Sequence, residues 1–452
     1  MSDLAWIDGA LTAARPQALG ALLRYFGDLD LAEEAFQDAC LRALKNWPEK
    51  GPPRDPAAWL IMVGRNAAID QVRRRSRQQT LPDEEALSDL DDVETPLAER
   101  LDGAHYRDDV LRLLFVCCHP DLPATQQIAL ALRIVSGLTV PQIARAFVVG
   151  EAAMEQRITR AKGRIARAGA PFETPGPVER AQRLASVAAM LYLVFNEGYS
   201  AGPREARGAL AGEAIRLARL LLRLFPAEPE IMGLLALMLL QHARAGARYD
   251  AAGGVVLLED QDRTAWDRRM IDEGLALIDK AIRHRRRGPY QVKAAIAALH
   301  VRAATPEETD WPQIDALYAA LEALEPSPIV TLNRAVAVSR TSGPEAALDM
   351  IAPLEARLSG YFYFFGAKGA LLMQLDRAAE AREAFGQAIA LAQTPAQAAH
   401  IRQHLDRLAA EGRAQPASYD ALVSARAPAQ RPSGRAAKRG GPEDDRRRST
   451  ED

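Results

Sequence analysis

Apolar positions recur along most of the chain at spacings of three and four residues, and runs rich in Val, Ile, Thr and aromatics are few, so the pattern predicts helices almost throughout and an all-α fold. The first 80 residues hold three such patterns. They are separated at Phe26-Gly27-Asp28 and at Trp47-Pro48-Glu49-Lys50-Gly51-Pro52-Pro53, where glycine and proline stop helix propagation. In the second pattern Leu31, Ala35, Ala39 and Leu44 fall near one face, while Asp28, Asp30, Glu33, Glu34 and Asp38 populate the others and make an acidic surface. The third begins near Pro56, a residue suited to a first turn, and carries Ala58, Trp59, Leu60, Val63, Asn66, Ile69 and Asp70 into Arg73, Arg74, Arg75 and Arg77. It starts aromatic and ends basic. Capping of the helix dipole is one account of so dense a run of arginines; phosphate binding is the other, with Arg65 and Asn66 one or two turns upstream to meet bases or backbone.

Residues 81–102 are acidic and poorly periodic, as in a tether. Residues 108–135 then read as two apolar helices, Gly137 breaks the pattern, and Thr139 with Gln142 has the spacing of a capping box. A helix through Ile143, Ala144 and Phe147, a turn at Val148-Val149-Gly150, and a helix with Met154, Ile158, Ala161 and Ile165 on one side form a helix-turn-helix pattern. Between Arg133 and Arg167 stand seven basic and two acidic residues, a local net of +5. The whole-chain net of -2 conceals this patch. After a proline- and glycine-rich stretch at 171–177 come further amphipathic helices. There, residues 327–360 overlay 361–394 at an offset of about 34, the tetratricopeptide period, matching Ala347 to Ala381, Ile351 to Phe385 and Leu354 to Ala388. Stacked helix pairs of this kind form a solenoid whose concave face binds peptides or partner domains. Residues 413–452, rich in Arg, Ala, Pro and Gly, lack the apolar content of a core.

At 452 residues the chain exceeds one hydrophobic core, so more than one job is expected. Its boundaries fall at 1–79, an acidic linker 80–104, a second module 105–170, a hinge 171–178, a helical extension 179–288, helical repeats 289–412 and a tail 413–452. The most apolar stretch, Ile231 to Leu240, is about half of the roughly 20 residues a membrane span needs. Three cysteines without disulfide spacing, and an N-terminus with no basic stretch before an apolar run, point to a reducing cytoplasm. Cys117-Cys118-His119 invites a zinc reading, but adjacent side chains cannot all turn to one ion and no second ligand pair stands at zinc-finger spacing. Phe195-Asn196-Glu197-Gly198-Tyr199-Ser200 and Leu257-Leu258-Glu259-Asp260-Gln261-Asp262-Arg263 are polar clusters able to hold a ligand or to cap helix ends. No nucleophile–base pair, Gly-rich phosphate loop or histidine–carboxylate set is present, so the expectation is a non-enzyme with no catalytic residue, no cofactor and no metal.

Asp30-Leu31-Ala32-Glu33-Glu34-Ala35-Phe36-Gln37-Asp38, then Trp47-Pro48, Ala58-Trp59-Leu60 and Arg65-Asn66-Ala67-Ala68-Ile69-Asp70-Gln71-Val72-Arg73-Arg74 together resemble region 2 of extracytoplasmic-function sigma factors. Gly137-Leu138-Thr139, Ile143-Ala144-Arg145-Ala146-Phe147 and Gln156-Arg157-Ile158-Thr159-Arg160-Ala161-Lys162 resemble their region 4. The resemblance implies that Asp30, Glu33, Glu34, Gln37 and Asp38 dock on the clamp helices of the polymerase largest subunit. It implies that Trp59, Arg65, Asn66, Asp70, Arg73 and Arg74, with the loop 47–55, read and open the −10 element. Gln156, Arg157, Arg160, Lys162 and Arg164 would face the −35 element, with region 4 also meeting the polymerase flap. Gly150 and Glu151 stand where Ser or Thr is common, and Glu155 adds a negative charge to the recognition helix. The two polar clusters, with Gly288-Pro289-Tyr290-Gln291 and Thr309-Asp310-Trp311-Pro312, resemble a subgroup with a tetratricopeptide-like C-terminal extension, which implies regulation in cis and a regulatory protein on the repeats. A one-component regulator, reading DNA by its helix-turn-helix and a signal by its repeats without touching polymerase, is the other class the pattern allows.

Overall fold

The structure, a computed structural model, describes residues 5–76, 103–119, 121–147, 149–168, 177–199, 208–250, 254–392 and 395–411. The acidic tether at 81–102, most of the hinge at 171–176 and the tail from 413 lie outside the described residues, as does Arg77. Among those described, all regular structure is helical apart from one antiparallel bridge between Tyr249 and Val255.

Helices α1 (Ala5–Phe26), α2 (Leu29–Lys50) and α3 (Pro56–Ser76) pack mutually. Gly27, at φ 68, ends α1, and Asp28 starts α2 by accepting from the Asp30 and Leu31 amides at 2.8 and 2.9 Å. Asp55 starts α3 likewise through the Ala57 and Ala58 amides. The break falls inside the expected stretch 47–53, with α2 running on through Lys50. Proline in a last turn costs only one donor, buried Trp47 anchors that turn in the core, and Gly51 at φ 80 provides the stop. The buried stripe of α2 also differs from expectation: it runs Leu29, Ala32, Ala35, Phe36, Ala39, Ala43, Trp47, an alternation of three- and four-residue steps, and leaves Leu31 and Leu44 exposed while Glu33 is buried. At the α2–α3 crossing, a Cβ on Gly64 would stand 2.8 Å from the Ala35 carbonyl oxygen, so only glycine lets the helices approach this closely.

Helices α4 (Gly103–Cys117) and α5 (Ala124–Ile134) precede the helix-turn-helix of α6 (Val140–Ala146) and α7 (Glu151–Ala168). The capping box forms: the Gln142 amide donates to Thr139 Oγ1 and the Thr139 amide donates to Gln142 Oε1 at 2.8 Å. Met154, Ile158, Ala161 and Ile165 are the buried side of α7, as their spacing predicts. Cys117 and Cys118 lie in the core, where burial pushes both thiols up, Cys118 to about 12.

The extension begins with α8 (Pro177–Tyr199), α9 (Gly208–Leu224) and α10 (Pro229–His242). An irregular stretch with 3-10 turns at Ala245–Ala247, Leu258–Asp260 and Arg263–Ala265 leads to α11 (Arg268–Arg283). Then α12 (Pro289–Arg302), α13 (Trp311–Leu324), α14 (Pro328–Thr341), α15 (Pro344–Ile351), α16 (Phe362–Gln374), α17 (Ala378–Leu391) and α18 (Pro395–Glu411) each pack on the next, as in a helical solenoid. The 34-residue offset places Ala347 and Ala381, and Ile351 and Phe385, in equivalent buried positions. One continuous apolar core runs from Ile7 in α1 through α4–α7 to Leu239 in α10, so both N-terminal modules and the start of the extension share an interior.

Candidate functional site

The acidic helix α2 and the basic helix α7 face each other. Lys162 Nζ donates to Asp30 Oδ1 at 2.6 Å and to Glu33 Oε2 at 2.5 Å. Asp30 is largely solvent-exposed, but the Glu33 side chain is only 7% exposed, and Arg15 and Arg133 add their guanidinium groups at 3.6 and 3.8 Å. Burial lowers the lysine's affinity for its proton, yet hydrogen bonds to Asp30 and Glu33 and their charges outweigh it, so Lys162 is held above its ordinary range. Arg15, at the centre, also donates to the Ile134 and Arg133 carbonyls at 2.9 and 3.2 Å, capping the C-terminus of α5. Burial lowers its pKa, opposed by Glu33 and reinforced by Arg133.

A second ionic contact ties the modules. Asp109 of α4 is 1% exposed and lies 3.2 Å from Arg24 of α1 and 3.6 Å from Arg112. Beside it, a Cβ on Gly20 would come within 2.7 Å of the Asp109 carbonyl oxygen, so α1 and α4 cross in backbone contact. Sequence reading missed Arg15, Arg24, Asp109, Arg112 and Arg133 as parts of the site. Each looks like an ordinary helix charge until the two modules are packed together.

The remaining residues expected on the acidic face are outward: Glu34 and Gln37 are exposed and Asp38 is half-buried. Exposed Leu31 and Leu41 interleave with them, giving a mixed apolar and acidic surface. On α3, Arg65 and Asn66 are exposed, with the Arg65 guanidinium 4.6 Å from the Tyr25 ring centroid. Trp59 is half-buried and packs edge-on to Trp47 at 5.4 Å. Asp70, Arg73 and Arg74 continue the same helix, with side chains outside the described residues. On α7, Gln156, Arg160 and Arg164 are exposed opposite the buried side and Arg157 is half-buried, while Arg164 Nη1 donates to Gln126 at 3.5 Å. Lys162 points to α2. The structure therefore groups Gln156, Arg160 and Arg164 on one basic outward stripe and separates Lys162 from them.

The extension touches this assembly directly. Helix α8 packs on α4 and α5, with the Arg183 guanidinium 5.7 Å from the Phe115 ring centroid. No helix among the described residues is long and apolar enough to cross a membrane.

Comparison with known proteins matches residues 11–78 to Sigma-70 region 2, residues 112–165 to Sigma-70 region 4, and residues 183–282 to a family of unknown function (DUF6596). An uncharacterized protein, R00370 of Rhizobium meliloti (strain 1021), is 72% identical over 413 residues, covering 91% of this chain and 98% of its own length. The protein described as ECF RNA polymerase sigma factor SigM of Mycobacterium tuberculosis is 29% identical over 136 residues, covering 30% of this chain and 63% of its own. No solved structure matches the chain.

Proposed function

This chain belongs to the sigma-70 factors of the extracytoplasmic-function type, with a role in transcription initiation, and from that premise we propose that it binds core RNA polymerase and reads its promoter through two surfaces that close on each other. Asp30, Glu34, Gln37 and Asp38 of α2 dock on the polymerase clamp. Glu33 joins them only after Lys162 has left. Arg65 and Asn66 of α3, with Asp70, Arg73 and Arg74 beyond them, engage the −10 element. Gln156, Arg160 and Arg164, flanked by Arg157, engage the −35 element in the manner of a recognition helix.

The observation that carries the reading is the Lys162 bridge to Asp30 and Glu33, because it joins a residue of the proposed DNA-reading helix to two of the proposed polymerase-docking face. While the bridge holds, neither surface is wholly available. The extension acts in cis by packing α8 on α4 and α5, which sets how readily α7 leaves α2. A regulatory protein on the repeats α12–α18 would act through the same path.

The test is in vitro transcription by core polymerase on a genomic-fragment library with the full chain. Promoter-specific starts are expected. Lys162→Glu sets a third carboxylate against Asp30 and Glu33 and should open the chain, read as tighter binding to core. No starts together with no binding to core would refute the reading and favour a one-component regulator.

A further inference from the structure

Three arginines of the extension gather near the ends of its two polar strings. Tyr199 closes α8, and two arginines from the segment after α10 meet it: Arg244 Nη2 donates to the Tyr199 hydroxyl at 3.1 Å, and Arg248 donates to the Tyr199 carbonyl with its guanidinium 3.6 Å from the ring centroid. Both arginines are 7% exposed. Arg263, near enough to Arg244 for the two charges to act on each other, donates through Nη1 to the His300 and Ala303 carbonyls at 2.9 and 2.5 Å and lies over the Trp266 ring. None of the three has a carboxylate within ion-pair distance among the described residues. The acidic groups that face the cluster act at longer range: Asp267 on His242, and Glu307 and Glu308 on Arg263.

With neutral partners in place of carboxylates, the arginines act on the groups beside them. Burial alone would push the Tyr199 hydroxyl up, yet Arg244 and Arg248 hold it below its ordinary range. Burial, with Arg244 and Arg263, holds His300 down at about 3. Polar atoms beside the arginines are also left over: His242 Nδ1, Gln261 Oε1 and Arg263 Nε are buried without a hydrogen-bond partner. Buried guanidinium groups and orphaned polar atoms are costly, and cost of this kind marks a place where something else binds.

We propose that Arg244, Arg248 and Arg263, with Tyr199, form a binding site in the extension for the oxyanion of a small molecule, a carboxylate or a phosphate group. Guanidinium forks suit either group by paired N–H donation, and the leftover Oε1 of Gln261 suits a donor on the polar body that carries it. The site lies away from α2, α3 and α7 and stands whether or not the promoter reading holds.

The test titrates the full chain with sodium phosphate and, separately, sodium succinate at constant ionic strength, against sodium chloride, following melting temperature and the fluorescence change expected from Trp266 beside Arg263. A saturable rise with phosphate assigns a phosphate-bearing ligand, and one with succinate a carboxylate-bearing ligand. Arg248→Met and Arg244→Gln, each checked for unchanged helicity, should weaken binding at least tenfold. Arg286→Met, on an exposed arginine, should leave it unchanged. No saturable response to either anion, or an equal response in both site variants, overturns the proposal.

Discussion

Replacing Lys162 by methionine keeps the length and apolar stem of the side chain and removes both of its bonds to α2. The arm to Asp30 ends on a carboxylate 73% exposed and contributes only about 0–1 kcal/mol. The arm to Glu33 joins a lysine 21% exposed to a carboxylate 7% exposed, and a charge-assisted bond in that setting contributes about 1.5–3 kcal/mol. Arg15 and Arg133 remain beside Glu33 at 3.6 and 3.8 Å and compensate part of its charge, which keeps the loss near the lower end. The sum is about 2 kcal/mol, or roughly thirty-fold in the ratio of closed to open chain. Lys162 is outside the polymerase-docking residues proposed on α2, so its loss reaches core binding only by freeing that face. With the closed form predominant, the apparent dissociation constant for core polymerase should fall by up to about thirty-fold. Biolayer interferometry of the full chain on immobilised core measures this directly. Equal or weaker binding by Lys162→Met, with helicity and melting intact, would refute the clasp.

Other substitutions test separate parts of the argument. Arg160→Ala should lower promoter-specific transcription while leaving core binding within about twofold, and joint loss of both would point to misfolding instead. Thr139→Ala removes one side of the capping box and should cost about 1 kcal/mol, read as a lower denaturation midpoint without a changed slope. Gly64→Ala drives a methyl group against the Ala35 carbonyl and should destabilise by about 1–3 kcal/mol; an unchanged melting temperature would contradict the close crossing of α2 and α3. His300 is held at about 3 when folded against 6.5 when free, so the unfolded chain binds that proton more readily. Its contribution to stability is full above about pH 6.5 and is lost as pH falls from there toward 3. His300→Gln should flatten that part of the melting curve against pH, and a wild-type slope in the variant would count against the burial of this ring.

Helix positions with their own local signal were legible in the sequence. The Thr139–Gln142 box and the Met154, Ile158, Ala161, Ile165 stripe carry capping and periodicity within a dozen residues, and both stand in the structure as the pattern predicts. The face of α2 was misjudged because Leu31 and Leu44 look like core residues when hydropathy alone decides. Glu33 is inward because Lys162, Arg15 and Arg133, up to 129 residues away, supply its partners. No local window contains that information. The string around Gly198 was visible as unusual, but one reason for its glycine lies in α9: a Cβ there would collide with the Ala211 backbone amide. The two arginines that meet Tyr199, Arg244 and Arg248, lie outside both polar strings, which is why their convergence could not be seen from spacing.

The charge pattern that makes the two modules suitable for their proposed partners also makes them suitable for each other. A face acidic enough to dock on polymerase is complementary to a helix basic enough to follow phosphates, and carrying both on one chain keeps their effective concentration high. Closure is then the expected ground state of the chain unless something weakens it, and a DNA-reading helix need lose only one lysine to the contact to be held back. Gln156, Arg160 and Arg164 stay outward in the closed chain, so on the proposed reading promoter DNA meets part of the recognition helix before the clasp opens. Binding of either partner should therefore favour binding of the other, because each competes with the same Lys162 bridge, and by linkage the gain must be equal in both directions. Promoter DNA should tighten core binding by the wild-type chain and do so much less for Lys162→Met, in which little of the bridge is left to compete against.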